Sequence, residues 1–516
     1  MFFGNNKLQR ELKKRESDSE KSKPDEKNSK MKNWFRRTGA TVLLVAGLSL
    51  VACGSSGKKD ASTDAPTDVS DAEDSTHEPP EDTIFDAHTE ADSAHDVLEA
   101  EDTTHESSED TIDISEADDA TDVLEADDVL VEDDADVSED IDTEETSGII
   151  TFEKTFGGPE YDGAGTVQQT TDGGYIIAGG TSSFGAGSED VWLIKTDENG
   201  NETWSKTFGG PEYDGGGTVQ QTTDGGYIIS GSTESFGAGG SDVWLFKTDE
   251  TGNMQWDNTF GGPEYDGGRV QQTTDMGYIL SGFSGSLDEH GVIVYDAWLI
   301  KTDEDGDEQW TRTFGIPPYY FAHSLQQTTD GGYVMAGEFY SISAERFIPW
   351  FTKTDEDGNE QWTRTFGDLS RESANSVQQT TDGGYILAGY TLLPDMNGDA
   401  WLIKTDEEGD EQWNRIFGGL SRDGAYSVRQ TADGGYIIVG FTESFGAGGS
   451  DVWLFKTDET GNMQWDNTFG GLEDDIIHSL QQTSDGGYIL AGCTGSFGAG
   501  SRDVYLIKTD ENGNVY

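Results

Sequence analysis

The sequence predicts an all-β chain: a seven-bladed β-propeller of four-stranded antiparallel blades, closed by an N-terminal strand that joins the last blade. Three observations predict it. First, the stretch Thr155–Trp204 recurs to the C-terminus, and the tyrosine of its DGGY element falls at Tyr175, Tyr227, Tyr278, Tyr333, Tyr385, Tyr436 and Tyr488, a spacing of 51 to 55 residues. A period of that length signals a propeller or a solenoid. Second, each repeat holds four short runs suited to strands, in the first copy Thr166–Thr170, Tyr175–Ala178, Val191–Thr196 and Thr203–Phe208. Third, the repeat is split between the two chain ends.

The strand runs are rich in β-branched and aromatic residues and are bounded by Gly, Asp and Asn. Asp172-Gly173-Gly174 and Asp197-Glu198-Asn199-Gly200 are the hairpin turn signals between them. YII and WLI are continuous apolar runs rather than alternating ones, so both faces of each small sheet need cover. Stacked blades supply it. Fourth-strand tryptophans stand at Trp204, Trp256, Trp310, Trp362, Trp413 and Trp465, and the seventh would follow Tyr516. Its counterpart lies at the other end, where Thr151–Phe156 aligns with Thr203–Phe208. A shared last blade follows, leaving no open edge.

Taken in order, residues 1–30 are a charged extension without apolar period, and Met31 is the expected start of translation. Residues 31–52 read as a signal peptide: Lys32, Arg36 and Arg37 precede an apolar run, Ala40–Ala52, too short to cross a bilayer. The run ends Leu50-Val51-Ala52-Cys53-Gly54, which resembles the lipobox of bacterial lipoproteins. That resemblance implies cleavage before Cys53, lipidation of its sulfur (diacylglyceryl, with palmitate-type chains), and a place in the bacterial cell envelope, at the outer membrane or cell surface. Residues 53–148 are an acidic linker. Asp60–Ser147 holds 36 Asp and Glu and no Lys or Arg, about half of the formal charge of −69. So much like charge cannot repay the entropy of folding, and a disordered tether averaging about 50 Å end to end is expected. Residues 149–516 are the propeller.

The charge balance disfavours binding to nucleic acid through phosphate neutralisation, since no basic stripe exists to displace counterions, and no nucleic-acid partner is expected. It disfavours attachment to anionic lipid by charge, leaving acyl chains as the membrane anchor. The only cysteines are Cys53 and Cys493. If Cys53 is lipidated, Cys493 has no partner and an intrachain disulfide is not expected.

Residues that recur in register are read as structural. All tryptophans except Trp34 fall at two repeat positions, which points to packing between blades rather than to repeated carbohydrate sites. The turn D-x-x-G-(N/D), as in Asp303–Asp307, lacks the spacing and distal Glu of an EF-hand. Asp190, Asp242, Asp296, Asp399, Asp451 and Asp503 precede third strands, with Pro349 in the fourth copy, and read as turn caps. The alternative is calcium, with Glu160, Asp162 and Asp190 as ligands. No other cofactor is expected, and no G-x-S-x-G, H-E-x-x-H or P-loop signature is present.

The informative positions are those where the copies differ. The loop entering the innermost strand and the loop joining strands two and three share a face, and both vary, most in Ser284–Tyr295, Phe339–Ile348 and Thr391–Asp399. Binding residues favour loops on a rigid scaffold. At the mouth of the innermost strand the ring reads Gly165, Gly217, Gly268, His323, Asn375, Tyr426 and His478, with Arg269 following Gly268. The candidate ligand contacts are therefore His323, Asn375, Tyr426, His478 and Arg269; solvated strand ends are the competing reading. His323 and His478 stand three blades apart, too far across a channel to share one ion at about 2.1 Å.

The repeat FGG…QQTxDGGYII(A/S)G…DVWLIKTDExGNxxW, over Thr151–Tyr516, resembles the β-propeller repeat of bacterial secreted and surface lipoproteins. That resemblance implies the fold and little chemistry. Asp249–Trp256 also resembles the tryptophan-docking motif of quinoprotein dehydrogenases, but it is shorter between Asp and Gly. Three functional classes follow: a binding scaffold for protein or glycan, preferred; a glycan lyase or hydrolase with paired carboxylates about 5–10 Å apart in a cleft; and a structural envelope protein.

Overall fold

The computed structural model describes residues 149–315, 319–367, 371–392 and 397–516. The expectations for residues 1–30, 31–52 and 53–148, Cys53 included, lie outside the described residues, as does the middle of the Thr391–Asp399 loop. Among the described residues no helix is long and apolar enough to cross a membrane.

Among the described residues twenty-eight strands, β1–β28, form seven four-stranded sheets. The first blade is β2 (Asp162–Gln169), β3 (Tyr175–Thr181), β4 (Asp190–Thr196) and β5 (Glu202–Phe208), paired in that order and antiparallel throughout. The innermost strand starts four residues earlier than its apolar signal at Thr166, because the glycine-rich Asp162–Gly165 segment is extended and buried too. The last blade is β26 (Asp475–Gln482), β27 (Tyr488–Thr494), β28 (Asp503–Thr509) and β1 (Phe152–Phe156). The first strand of the chain pairs antiparallel with the last, Phe152 with Lys508 through Phe156 with Val504. Glu153 accepts a hydrogen bond from the Tyr505 hydroxyl, and the Tyr516 amide donates to Thr151 Oγ1 at 3.0 Å. Every strand of the ring, its closure included, thus lies within residues 149–516.

Burial follows the continuous apolar runs. Ile177 and Ile194 pack towards the last blade against Ile489, Ala491, Val504 and Leu506, while Ile176, Val191 and Leu193 pack on the second blade against Val219, Ile229 and Phe246. Consecutive residues thus serve opposite faces, as a strand sandwiched between two blades requires.

Each fourth-strand tryptophan sits on the next blade. Trp204, Trp256, Trp310, Trp362, Trp413 and Trp465 meet Tyr227, Tyr278, Tyr333, Tyr385, Tyr436 and Tyr488 at ring distances of 5.8 to 6.2 Å. Phe152 fills the seventh place, 6.0 Å from Tyr175. The turn glycine beneath each ring is required twice over. Gly252 has φ +75°, which L side chains rarely adopt, and a Cβ there would stand 2.8 Å from the Trp204 ring. The tryptophans are packing groups, as their register implied.

The innermost strands are stitched by their paired glutamines. The Gln169 amide donates to Gln481 Oε1 (2.6 Å), Gln221 to Gln168, Gln272 to Gln220, Gln327 to Gln271, Gln379 to Gln326 and Gln430 to Gln378. The second glutamines accept in return, from Thr171, Thr223, Thr274, Thr329, Thr381 and Ser484. Between the sixth and seventh blades Arg429 replaces the bridging glutamine, and among the described residues neither bond is made there.

Cys493 is buried on β27, with Arg502 Nη1 3.9 Å from its sulfur.

Candidate functional site at the channel mouth

The ring of differing residues has a structural identity that the sequence did not disclose. Gly165, Gly217, His323, Asn375, Tyr426 and His478 are each the extra residue of a β-bulge in an innermost strand, skipped in the pairing with the second strand. A bulge residue is released from the ladder and its side chain re-aimed, which is why bulges gather beside binding sites. Asn375 and Tyr426 turn along the channel wall towards the next blade. Asn375 Nδ2 donates to Ala425 O at 2.9 Å, and the Tyr426 and His478 rings stand 5.1 Å apart.

Gly268 does not belong to this ring, which corrects its placement there. The third blade has no bulge: β10 (Asp266–Gln272) pairs with β11 (Tyr278–Leu287) without a register shift. Arg269 consequently occupies the position that carries a hydroxyl elsewhere. Those hydroxyls form a second ring, in which Val167 N donates to Ser479 Oγ, Val219 N to Thr166 Oγ1, Val270 N to Thr218 Oγ1, Val377 N to Ser324 Oγ and Val428 N to Ser376 Oγ. Arg269 has no hydroxyl to continue it. The glycines are small for a different reason from the one a vacant mouth would suggest. A Cβ on Gly165 would stand 2.4 Å from Gly217 O, so two backbones approach closely there.

The structure therefore brings the candidates together on neighbouring innermost strands, with Arg429 as a further member missed in the sequence. Its signal was available: the QQ pair reads Arg429-Gln430 in the sixth copy alone. Burial lowers the His323 imidazole to about 3, with Arg269 acting in the same direction, and lowers His478 to about 4, aided by Arg269 and Arg502. Both rings are neutral at pH 7. Burial, and then the charge of Arg429, brings Arg269 down to about 10, so it stays cationic. Burial pushes the Tyr426 hydroxyl up to about 12.

Beside this arc, a cavity of about 180 Å3 opens between the second and third blades, lined by Tyr213, Ser232, Glu234, Tyr265, Gly268 and Phe283 among others. Two larger hollows, of about 540 and 710 Å3, lie away from the bulge ring, along the outer strands and at the DGG and DExG turns. Near the small cavity Glu189 is pushed up to about 7 by burial, against the opposing hydrogen bond of Tyr213.

The calcium candidates separate. Asp162 is fully buried and accepts from Gly158 N (2.7 Å), Ser183 Oγ (2.7 Å) and Thr181 Oγ1. Asp190 accepts from Ala186 N (2.7 Å) and Gly187 N (3.0 Å). Gly157 stands between Asp162 and Asp503, whereas Gly209 stands between Asp190 and Asp214. Asp162 and Asp190 thus belong to different blade junctions, and Glu160 is an exposed loop residue whose amide donates to Ser183. Among the described residues no group of three acidic, histidine or cysteine side chains is placed to hold a metal. These carboxylates tie loops to strands. Asp162→Ala is expected to cost about 2 kcal/mol, since two hydroxyls and an amide lose their acceptor. Denaturant unfolding with and without EDTA tests the calcium reading: an unchanged midpoint is expected of loop ties alone, and a chelator-dependent midpoint of bound calcium.

The D-x-x-G turns behave as hairpin turns. Asp197 Oδ1 accepts from Asn199 N and Asn201 N at 2.9 and 2.8 Å, and the pattern recurs at Asp303 and Asp355.

No protein-family model matches this chain, and no curated protein matches it in sequence. Among solved structures it is similar to the Pan2 WD40 domain of Neurospora crassa, with TM-score 0.43 and 11% identity over 71% of this chain and 97% of that one. It is similar to YCF48 bound to D1 peptide, with TM-score 0.40 and 10% identity over 69% and 94%. It is also similar to a mutant puromycin hydrolase complexed with PGG, with TM-score 0.44 and 15% identity over 69% and 53%. The sevenfold ring itself is established by this chain's own strand pairing.

Proposed function

We propose that this protein is a lipid-anchored scaffold of the bacterial cell envelope, whose variable propeller face binds a protein or glycan without turning it over. The observation that carries the reading is where apolar side chains stand exposed. Leu287 (57%) and Ile342 (54%) lie at the tips of the two longest hairpins, and Leu420 (93%) and Leu472 (81%) on loops entering innermost strands. All four are on the face whose loops differ between copies. Exposed apolar side chains gathered on one face offer an interaction surface, and the opposite face carries short turns in every blade.

The long hairpins are well anchored. The ten-residue strands β11 and β12 (Ile293–Thr302) and the nine-residue strands β15 (Tyr333–Ser341) and β16 (Arg346–Thr354) extend beyond the seven residues usual elsewhere. Phe283, Tyr295, Tyr319, Phe321 and Phe347 form a buried aromatic cluster at their base. Such a platform presents its tips at low entropic cost. The acidic linker and the lipidated Cys53 would hold the face clear of the membrane.

A screen of envelope proteins and glycans against the protein should give saturable binding without product. The fourfold variant Leu287→Ser, Ile342→Ser, Leu420→Ser, Leu472→Ser should bind the hit at least tenfold more weakly with an unchanged thermal midpoint, since the sites are exposed. Undiminished binding would move the site off this face. For the anchor, Cys53→Ala should release the protein from the membrane fraction. A diacylated sulfur cannot also form a disulfide, so finding Cys53 joined to Cys493 by mass spectrometry would overturn the anchor.

A further inference from the structure

We infer that the wall of the central channel between the third and fourth blades is a binding site for a carboxylate, built from Arg269, Ser281 and His323. This deepens the preceding proposal by giving the ligand an acidic group, and it rests on the same face being the binding face.

The geometry starts from the missing bulge. In the second blade the equivalent pair is satisfied internally: Thr218 and Ser230 share a hydrogen bond of 2.7 Å, and Ser230 Oγ donates to Gly268 O at 3.2 Å. In the third blade Arg269 replaces that threonine, directly opposite Ser281 in the strand register. Ser281 Oγ is fully buried and reaches no polar partner among the described residues. On the adjoining innermost strand, β14 (Tyr320–Gln327), His323 is 2% exposed and neither ring nitrogen reaches a partner there.

Buried polar groups are almost always hydrogen-bonded, and each exception asks for a reason. Two independent exceptions lie at one blade junction, beside a half-buried guanidinium. A neutral imidazole supplies one N–H, serine one O–H and arginine a planar fork, so this junction offers an oxyanion three kinds of donor. Arg429 lies on the same channel wall and adds like charge, in keeping with the lowered Arg269. A positive channel in a chain of formal charge −69 selects small or extended acids that can enter the bore.

Two sources carry this chemistry: a separate acidic ligand, or the chain's own Asp60–Ser147 tract. The probe is hexaglutamate, with hexaglutamine as control, titrated by calorimetry at low salt into residues 149–516 and into the whole chain. The repeat supplies substitutions that the fold already accepts, because other copies carry Thr at the place of Arg269 and Gln at the place of Arg429. Hexaglutamate should bind residues 149–516 at least tenfold more tightly than hexaglutamine. The Arg269→Thr, Arg429→Gln double variant should lose at least tenfold of that affinity without a lower thermal midpoint, and His323→Ala should also weaken it. Weaker binding to the whole chain assigns the site to the acidic tract, and equal binding assigns it to an external acid. Failure of hexaglutamate to bind, or equal binding by the double variant, overturns the inference. Either result leaves the loop-tip variants as a separate test of the scaffold reading.

Discussion

A chain that begins at Gly157, without Ile149–Phe156, is expected to lose the stable monomeric fold. Three losses coincide. The five-residue ladder between β1 and β28 disappears, exposing a strand edge that is free to pair with other molecules. The Phe152 ring leaves the hollow formed by Tyr175 and the Gly200 turn. Glu153 no longer accepts from the Tyr505 hydroxyl, and Thr151 no longer accepts from the Tyr516 amide. Phe152→Ala alone should cost about 3 kcal/mol, in the range for truncating a buried phenylalanine. Size-exclusion chromatography should show the shortened chain as aggregate, and thermal unfolding should show the point variant clearly destabilised. A truncated chain that runs as a monomer with an unshifted midpoint would mean the ring does not depend on its seam.

The second large effect comes from an interaction present once per blade. A lysine on each third strand is buried and reaches back to the aspartate of the DGG turn. Lys195 Nζ stands 2.9 Å from Asp172 and donates to Thr196 O at 2.8 Å. The pattern recurs at Lys301–Asp275, Lys353–Asp330, Lys404–Asp382 and Lys508–Asp485, and the ion pair alone at Lys247–Asp224 and Lys456–Asp433. Removing the carboxylate strands an ammonium in a low-dielectric site. Asp172→Ala is therefore expected to cost about 2 kcal/mol, less than a fully buried pair because the aspartate is half exposed. Asp172→Ala with Lys195→Met should recover part of the loss.

The same pairs set part of the acid stability. Burial alone would raise the Asp172 carboxyl, but hydrogen bonds from Thr170, Lys195 and Gly174 outweigh it and hold the group below its ordinary 3.8. The corresponding aspartates of the other six blades are lowered in the same way. The unfolded chain takes up these protons first, so the contribution is complete above pH 3.8 and is lost as pH falls below it. His323 and His478 act in the same sense over a higher window. The unfolded imidazoles protonate below 6.5 while the folded ones wait until about 3 and 4. Glu189 opposes them, since its raised carboxyl favours the folded state at low pH and fades between 4.5 and about 7. Urea midpoints should therefore fall steadily from pH 6 to pH 3, and His323→Phe should flatten the upper part of that slope.

The ring count and its closure were legible because they are written in register: six tryptophans and one phenylalanine occupy one geometric place, and Phe152 meets Tyr175 as Trp204 meets Tyr227. The channel residues were found for an incomplete reason. They stood out as departures from the repeat, yet a bulge is a matter of pairing between strands, and nothing in the stretch around His323 announces that its partner strand skips it. The missing bulge of the third blade was misread for the same cause, placing Gly268 in a ring it does not join. Two of the calcium candidates stand at different blade junctions. Asp162 and Asp190 lie on the same blade but on opposite sides of it, each facing a different neighbour.

Chain closure and inner stitching do not share a weakest point. The two ends of the propeller meet within the seventh blade, where a full ladder joins them. The missing glutamine step lies one boundary away, between the sixth and seventh blades, and the Tyr426–His478 contact spans that same boundary. The wheel is therefore sewn most loosely one spoke away from its clasp, and a cut in the chain ends and a cut in the inner seam strike different boundaries.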